Sequence, residues 1–309
     1  DAVASGTIQD SKITWKLDDK GWLTISGSGD CSAFTSKDDQ PWAEYRRQIT
    51  QVWFDGMESL AIPDLAYWFE DCTNLTTAEI PSTTPTIGKH AFYNCPLLAK
   101  LSIYYGEHTL DNIGEDAFWS TGISEVILPD GLKTVGRNAF QYCNDLTKLV
   151  IPQSVESISG NAFYCSSYSG NKILEIICHN PTPIPLSEQF ANTTYSKLRI
   201  PFGSKDAYYE AEYWRDFFTK GTVVVGVGEQ TLAALEITPT EEMQEGEFTV
   251  TINNSNEGAV VRYYIMKDWK MFKEISEYTG PITISETGNI DIYAIAENGD
   301  KCAPEAHQH

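Results

Sequence analysis

The sequence lacks any long hydrophobic run. Its apolar stretches are interrupted by glycine, proline or charged residues well before the ~20 apolar residues of a membrane-spanning helix. It is also poor in positive charge, with 22 lysines and arginines against 43 aspartates and glutamates and a formal net charge of −21. This charge repels phosphate backbones and anionic lipid head groups. We therefore expect no nucleic acid partner, and a membrane surface is a poor partner.

The motifs of common catalytic sites are missing too. The sequence has no G-x-S-x-G nucleophile elbow and no P-loop, and its five histidines show no H-E-x-x-H spacing. "GVGEQT" at Gly226 lacks the third glycine of a dinucleotide-binding fingerprint. We therefore expect no catalytic residue, no metal ligand and no cofactor, and we predict that the protein is not an enzyme.

Seven cysteines, an odd number, argue against a complete disulfide framework. Cys72, Cys95 and Cys143 each lie three residues after a recurring phenylalanine, and Cys165 lies two residues after one. Cysteines that stack in parallel suit the torsion angle of a disulfide poorly. We interpret them as small buried residues with free thiols.

What the sequence does contain is a repeat. Short alternating segments such as "LTKLVIP" recur at intervals of 22 to 27 residues, and each predicts one short parallel strand. About seven rungs result, with the central apolar residue of each in one column: Val52, Ala78, Leu101, Val126, Leu149, Ile176 and Leu198. A unit of this size cannot bury its own apolar side, so the rungs must stack and share a core.

An Ala-Phe pair recurs after most of these strands, as in "VGRNAF" ending at Phe140. Large apolar residues at one position of a stacked repeat predict an interior aromatic ladder. Its members would be Phe69, Phe92, Phe118, Phe140, Phe163 and Phe190.

Both ends differ from the middle, as the caps of a repeat array should. "KITWKLDDKGWLTISGSG" predicts a β-hairpin, and "GSKDAYYEAEYWRDFF" has the helical spacing of a terminal cap. After about Leu232, short alternating segments with Asn, Gly and Pro turns predict a small antiparallel sandwich. We predict a hairpin cap at 1–48, a repeat region with a helical cap at 49–220, a linker at 221–230 and an Ig/Fn3-like β-sandwich at 231–309.

Between about Ile49 and Pro201, the units with "IGxxAFxxC", a leucine-bearing strand and "IP" resemble the BspA-like leucine-rich repeats of bacterial surface proteins. "WKLDDKGWLTISGSG" with "PWAEY" resembles the N-terminal cap of that family, and "PFGSKDAYYEAEYW" resembles its terminal unit. The resemblance implies a β-rich α/β fold, a capped leucine-rich-repeat solenoid of about seven rungs, followed by the sandwich.

The sequence departs from the family pattern in places. Thr121 stands at a cysteine position, Tyr104 and His179 replace the strand-ending proline, and residues 65–69 depart from the Ala-Phe unit. The C-terminal segments "GAVVRYY", "YTGPITI" and "NIDIYAIAENG" are similar to the sandwich module at the C-terminus of chitobiase, although "MKDWKMF" replaces its usual turn.

Together the two resemblances imply a non-catalytic secreted or surface-anchored bacterial protein engaged in adhesion or ligand capture. The sequence starts at Asp1 without an initiator Met or a leader. We therefore expect a processed start, a secretion signal in the precursor and a lipid-anchored cysteine near residue 1.

The open face of the repeat strands is the predicted binding surface, because residues flanking each buried centre point away from the core. Lys100, Glu125, Lys148, Glu175 and Lys197 alternate in sign along this face. Neighbours in such a ladder either pair and stabilise the stack or form a polar recognition strip. Beside them lie Trp53, Glu79 and the apolar stripe of Ile127, Val150 and Ile177.

Two functions remain open. In the first, the repeats bind a host or microbial macromolecule through this face or through an edge of the stack. In the second, the protein is a glycan-binding accessory protein whose C-terminal module stacks exposed aromatics, such as Trp269 and Tyr278, on sugars.

Overall fold

The computed structural model describes residues 1–103, 110–165, 174–194, 196–239 and 246–309, apart from the side chains at 57, 102 and 103. The predictions for Tyr104 and for the histidine at 108 fall outside these residues. The chain forms two compact units, Asp1–Lys197 with Ala211–Thr222, and Leu198–Glu210 with Val223–His309. The domain boundaries from the sequence stay predictions.

Short strands dominate the first unit. In chain order they are β1 (Ala2–Thr7), β2 (Ile13–Asp18), β3 (Trp22–Gly27), β4 (Gly29–Asp30), β5 (Gln51–Phe54), β6 (Leu60–Ala61), β7 (Thr77–Ile80), β8 (Thr86–Ile87), β9 (Lys100–Ile103), β10 (Asn112–Ile113), β11 (Glu125–Ile127), β12 (Thr134–Val135), β13 (Lys148–Ile151), β14 (Ser157–Ile158) and β15 (Leu174–Cys178). Short 3-10 helices span Lys37–Asp39, Ala43–Gln48 and Met57–Ser59. β16 (Ser196–Ile200) crosses into the second unit.

The hairpin predicted at the N-terminus is present as β2 and β3, which pair antiparallel. Their turn is fixed by Asp18, whose Oδ1 accepts hydrogen bonds from the backbone N–H groups of Lys20 and Trp22 at 3.0 and 2.8 Å. β3 then pairs in parallel with β5, which places Leu23 beside Val52. The sequence did not reveal β1, which adds a third strand beside β2.

The predicted column of buried strand centres is present in two parallel groups. β5, β7 and β9 align Val52, Ala78 and Leu101, and β11, β13 and β15 align three further centres, Val126, Leu149 and Ile176. In the described residues, β9 and β11 belong to different sheets. The open face is therefore divided between two sheets.

The predicted aromatic ladder is confirmed. Successive rings from Phe69 to Phe163 stack with centroids 4.8 to 5.2 Å apart. The last step changes, because Phe190 meets Phe163 edge to face at 6.4 Å. The 4.8 to 5.2 Å between stacked rings matches the ~4.8 Å distance between neighbouring strands, so each rung contributes one ring.

The turns at Phe69, Phe92, Phe118 and Phe140 are each shaped by two left-handed residues, placed two before and two after the phenylalanine, whereas Phe163 has only the first, Asn161. Around Phe140 these are Asn138 and Tyr142, with φ values of 56° and 59°. Asn and Asp tolerate this conformation best, which explains their frequency at the first position. The turn aligns backbone groups with the next rung, and Phe140 N–H donates to Ala162 O at 2.6 Å.

A second parallel sheet lies on another side of the rungs, in the order β14-β12-β10-β8. Each strand buries one aliphatic residue, including Ile113 and Val135. The glycine that follows permits close stacking, since a Cβ on Gly136 would lie 2.6 Å from Glu115 N. A side chain at this position would push neighbouring rungs apart.

The helical cap predicted after Gly203 is split into two short helices, α1 (Lys205–Glu210) and α2 (Asp216–Lys220). The helical register fails between them, where Tyr213 has a φ of 66°. The helical spacing of Ala207, Ala211, Trp214 and Phe218 predicted these four as the inner face. Trp214 is buried as predicted, but Tyr208 and Phe217 are the other buried side chains, and Ala207 is exposed.

The described residues of the second unit form eleven short elements after β16. They are α1, β17 (Thr222–Val225), β18 (Glu229–Gln230), β19 (Glu236–Thr238), β20 (Phe248–Asn253), β21 (Val260–Lys267), β22 (Lys270–Glu277), β23 (Ile282–Ile284), β24 (Ile290–Asn298), β25 (Lys301–Cys302) and β26 (Ala306–Gln308). One sheet has the order β18-β25-β24-β21-β22 with β26 beside β24, and another has the order β19-β20-β23. Residues of both sheets, such as Ile252 and Ile265, share one apolar core.

All seven cysteines are free thiols, as the sequence predicted. Cys95 and Cys143 each point at the preceding rung, where their Sγ atoms lie 3.1 and 3.2 Å from the carbonyl oxygens of Phe69 and Phe118. Burial raises the pKa of the Cys143 thiol to about 11, although a hydrogen bond with Thr121 opposes the shift. These thiols pack and cap backbone carbonyls.

Candidate interaction surface

The open face of β11, β13 and β15 carries six of the predicted residues in register. Glu125 lies opposite Lys148, which lies opposite Glu175 on the next strand. Lys148 Nζ is 3.4 Å from Glu125 Oε1, and both side chains are more than two-fifths exposed. An ion pair this exposed contributes little to stability. We call Glu125, Ile127, Lys148, Val150, Glu175 and Ile177 the repeat patch.

Aliphatic side chains form the other row of the repeat patch. Ile127 lies opposite Val150, and Val150 lies opposite Ile177. The Ile127 side chain is 52% exposed, whereas the other two are half-buried. The row is an apolar strip on stacked strands with an ion pair along its side.

The remaining charged residues of the predicted ladder are placed differently. Lys100 is exposed on β9 and lies opposite Thr77 on β7. Among the described residues, β9 does not pair with β11, the strand of Glu125. Lys197 is half-buried at the end of the first unit. The pairing observed in register thus involves Glu125, Lys148 and Glu175.

The other sheet carries a second exposed group, which we call the indole patch: Trp22, Thr24, Gln51, Trp53, Thr77 and Glu79. Trp22 lies opposite Gln51 and Thr24 opposite Trp53, so the two indoles are diagonal neighbours on adjacent strands. They are 41% and 37% exposed. Sequence reasoning found Trp53 but missed Trp22, because β3 belongs to the hairpin rather than to the repeats.

A row of rings at the edge of the Ala-Phe turns was also missed. His90 stacks on Tyr93 at 4.3 Å, and Tyr93 stacks on Trp119 at 4.5 Å. His90 also lies between the carboxylates of Glu70 and Asp116, at 3.2 and 3.5 Å. Burial, together with these two carboxylates, raises the pKa of the Tyr93 hydroxyl. The sequence signal for this row is the aromatic residue that directly follows Ala-Phe, as Tyr93 and Trp119 do.

The two aromatic residues predicted to bind sugars in the second unit differ in their exposure. Trp269 lies in the turn between β21 and β22, and it is 74% exposed. Tyr278 is half-buried against the core, and its hydroxyl accepts a hydrogen bond from Ile252 N–H at 3.2 Å. The expectation that Tyr278 is an exposed platform is wrong, because its ring and hydroxyl hold strands together.

Among the residues that the structure describes, no group of three or more His, Cys, Asp or Glu side chains is arranged to hold a metal ion. The same residues contain no helix long and apolar enough to cross a membrane.

Comparisons with known proteins agree with the repeat geometry. Residues 65–179 match the model of the BspA type leucine rich repeat region in six copies. No curated protein matches the chain.

Several solved structures are similar. A leucine-rich repeat protein from Eubacterium ventriosum is 26% identical, with a TM-score of 0.48 over 59% of this chain and 46% of that one. One from Bacteroides ovatus is 19% identical, with a TM-score of 0.36 over 62% of this chain and 55% of that one. The leucine-rich repeat protein of T. pallidum is 18% identical, with a TM-score of 0.37 over 67% and 99% of the two chains.

The matched part spans about half the length of the first two of these proteins. Because all three TM-scores lie below 0.5, the fold assignment depends on the family match and on the repeat geometry. Residues 65–179 therefore form a leucine-rich repeat segment of the BspA type.

Proposed function

We propose that the protein is a non-catalytic bacterial surface or secreted protein that binds an extracellular protein through the repeat patch. The observation that carries this proposal is the exposed Ile127 side chain, in register with Val150 and Ile177 and flanked by the Glu125–Lys148 ion pair. Protein interfaces typically combine an apolar centre with a polar rim.

The scaffold beneath the patch supports this function. Residues on the inner side of the same strands, such as Leu149 and Ile176, are fully buried. The patch is therefore held by a packed core, which limits the ordering cost of binding. Alternating charges at its side would favour a partner of matching charge pattern and disfavour others.

Adhesion, export and a lipid anchor near the N-terminus belong to this proposal. They are supported by the BspA type of the repeats at residues 65–179. We further propose that residues 231–309 form the chitobiase-like sandwich, because two sheets share one core there.

A second candidate is glycan binding by that module. It is favoured by one observation, the 74% exposure of Trp269. This function would leave the repeats as a spacer.

The test begins with the full chain on an array of extracellular proteins and on a glycan array. Affinity for each protein retained is then titrated with Ile127→Glu and with Leu97→Glu. Leu97 is a matched control, because it is equally exposed at 52% but lies outside the strands. We expect Ile127→Glu to weaken binding at least tenfold and Leu97→Glu to leave it unchanged.

Lys148→Glu should also weaken binding, since it places three carboxylates on consecutive rungs. Unchanged affinity in the Ile127 and Lys148 variants, with loss in Trp269→Ala, would move the function to the second unit.

A further inference from the structure

The indole patch is a separate surface that the proposed function does not use. It lies on β3, β5 and β7, in a different sheet from the repeat patch. Its two indoles are exposed although tryptophan is usually well buried. By contrast, Trp15, Trp42 and Trp68 in the same unit are buried.

Both indoles of the indole patch are partly exposed. Lys20 Nζ lies over the Trp22 ring, 5.4 Å from its centroid, and because the Lys20 side chain is itself exposed, a ligand can displace it from the ring. The Trp53 indole Nε1 donates to Gln51 Oε1 at 3.2 Å, which orients the ring without covering it. By contrast, Tyr93 at the turn edge has His90 on one side and Trp119 on the other. The indole patch is thus the surface on which a flat ligand can stack.

The spacing of the indoles suits one extended ligand. Gln51 lies opposite Trp22 in the strand register, and Trp53 lies two residues after Gln51. A strand separation of ~4.8 Å and two residues of ~3.3 Å rise place their backbones about 8 Å apart. Neighbouring sugar rings of one oligosaccharide can therefore reach both indoles.

The side chains that neighbour the two indoles on this face are polar. Thr24, Gln51 and Thr77 offer hydroxyl and amide groups that donate and accept hydrogen bonds. Glu79 Oε2 accepts from Phe54 N–H at 3.3 Å, so its carboxylate is held at the same face. An aromatic floor with small polar neighbours matches a ligand that has C–H faces and hydroxyl edges.

We propose that the indole patch binds a neutral β-linked polysaccharide, whose pyranose rings stack on Trp22 and Trp53. β-Linked glucose or xylose carries its hydroxyls equatorially and exposes its axial C–H groups, which the negative face of an indole attracts. The net charge of −21 disfavours acidic glycans. This site is independent of the protein ligand proposed for the repeat patch.

The test uses the full chain with soluble mixed-linkage β-glucan, xylan and cellohexaose as probes and hyaluronan as an anionic contrast. Affinity electrophoresis and calorimetric titration measure binding to wild type, Trp22→Ala, Trp53→Ala and Trp269→Ala. We expect at least one neutral probe to bind wild type and its Kd to rise at least tenfold in both indole-patch variants. Trp269→Ala, which removes a more exposed indole, should bind as wild type does.

Trp53→Phe separates ring loss from misfolding, because it keeps an aromatic face and should retain most of the affinity. Ile127→Glu should leave sugar binding unchanged while it weakens protein binding at least tenfold, so the two proposals fail separately. The inference is overturned if wild type binds none of the neutral probes, if hyaluronan binds as well as they do, or if Trp269→Ala alone loses binding. The inference would also be overturned if wild type bound no sugar but bound a protein partner, and Trp22→Ala lost that partner.

Discussion

The rings of Phe118 and Phe140 lie 4.8 Å apart and within 7° of parallel. This distance equals the separation of neighbouring strands, so the rings and the backbone share one repeat. Each interior ring is packed on two sides by its equivalents from adjacent rungs, and the ladder is consequently the part of the core most sensitive to a missing side chain.

Phe140→Ala should lower the free energy of unfolding by about 3–5 kcal/mol, because it leaves a cavity between Phe118 and Phe163. Chemical denaturation measures the loss. Tyr142→Ala, in the same turn but 40% exposed, is the control and should cost far less. A melting temperature within a degree or two of wild type would contradict the ladder.

Seven thiols should react with a thiol reagent in denaturant without reductant. In the native protein at pH 8, Cys143 should react slowly, because burial raises its pKa to about 11 and the thiolate is the reactive form. Mass spectrometry of labelled peptides follows each site. Recovery of a peptide that joins Cys143 to Cys165 would show that the thiols are not free.

Lys148→Glu should reduce the unfolding free energy by at most about 1 kcal/mol, because the exposed Glu125–Lys148 pair is screened by solvent. The loss should shrink further in high salt. Denaturation curves at low and high salt measure it. A loss of several kcal/mol, independent of salt, would mean that the pair is a structural element rather than part of a surface.

Asp291 in the second unit predicts a pH dependence. Burial disfavours its charge, but hydrogen bonds from His309 and His307, at 2.9 and 2.8 Å, outweigh this and lower its pKa. The stability it contributes is therefore complete above the unfolded pKa of about 3.9 and is lost as pH falls through the lower folded value.

Asp291→Asn should consequently destabilise the protein by about 1–3 kcal/mol at pH 6, and the difference should shrink as the pH falls below about 3.9. Urea denaturation at several pH values provides the measurement. Asp300→Asn is the control, since this residue is exposed at a turn. A difference that persists undiminished in acid would exclude the carboxylate charge as its source.

The sequence predicted those features that recur. Six phenylalanines and the aligned strand centres could be located from their spacing, because each rung buries its apolar side chains against its neighbours in the same way. β1 has no counterpart among the rungs and was missed, as was the break near Tyr213, where a left-handed residue interrupts the helical pattern. The candidate surfaces could be predicted in part. Side-chain alternation identified Ile127 and Trp53, whereas the pairing of β3 with β5, which brings in Trp22, depends on tertiary contacts.

The left-handed residues on both sides of four ladder phenylalanines, such as Asn138 and Tyr142 around Phe140, have a consequence for how this protein can change over time. They close these four turns in the same way and align the backbone with the next rung through hydrogen bonds such as that from Phe140 N–H to Ala162 O. A duplicated or deleted unit therefore meets neighbours identical in shape to those it replaces. Gain or loss of whole rungs, together with drift at outward strand positions, would let a lineage lengthen and retune its binding face while the core remains intact.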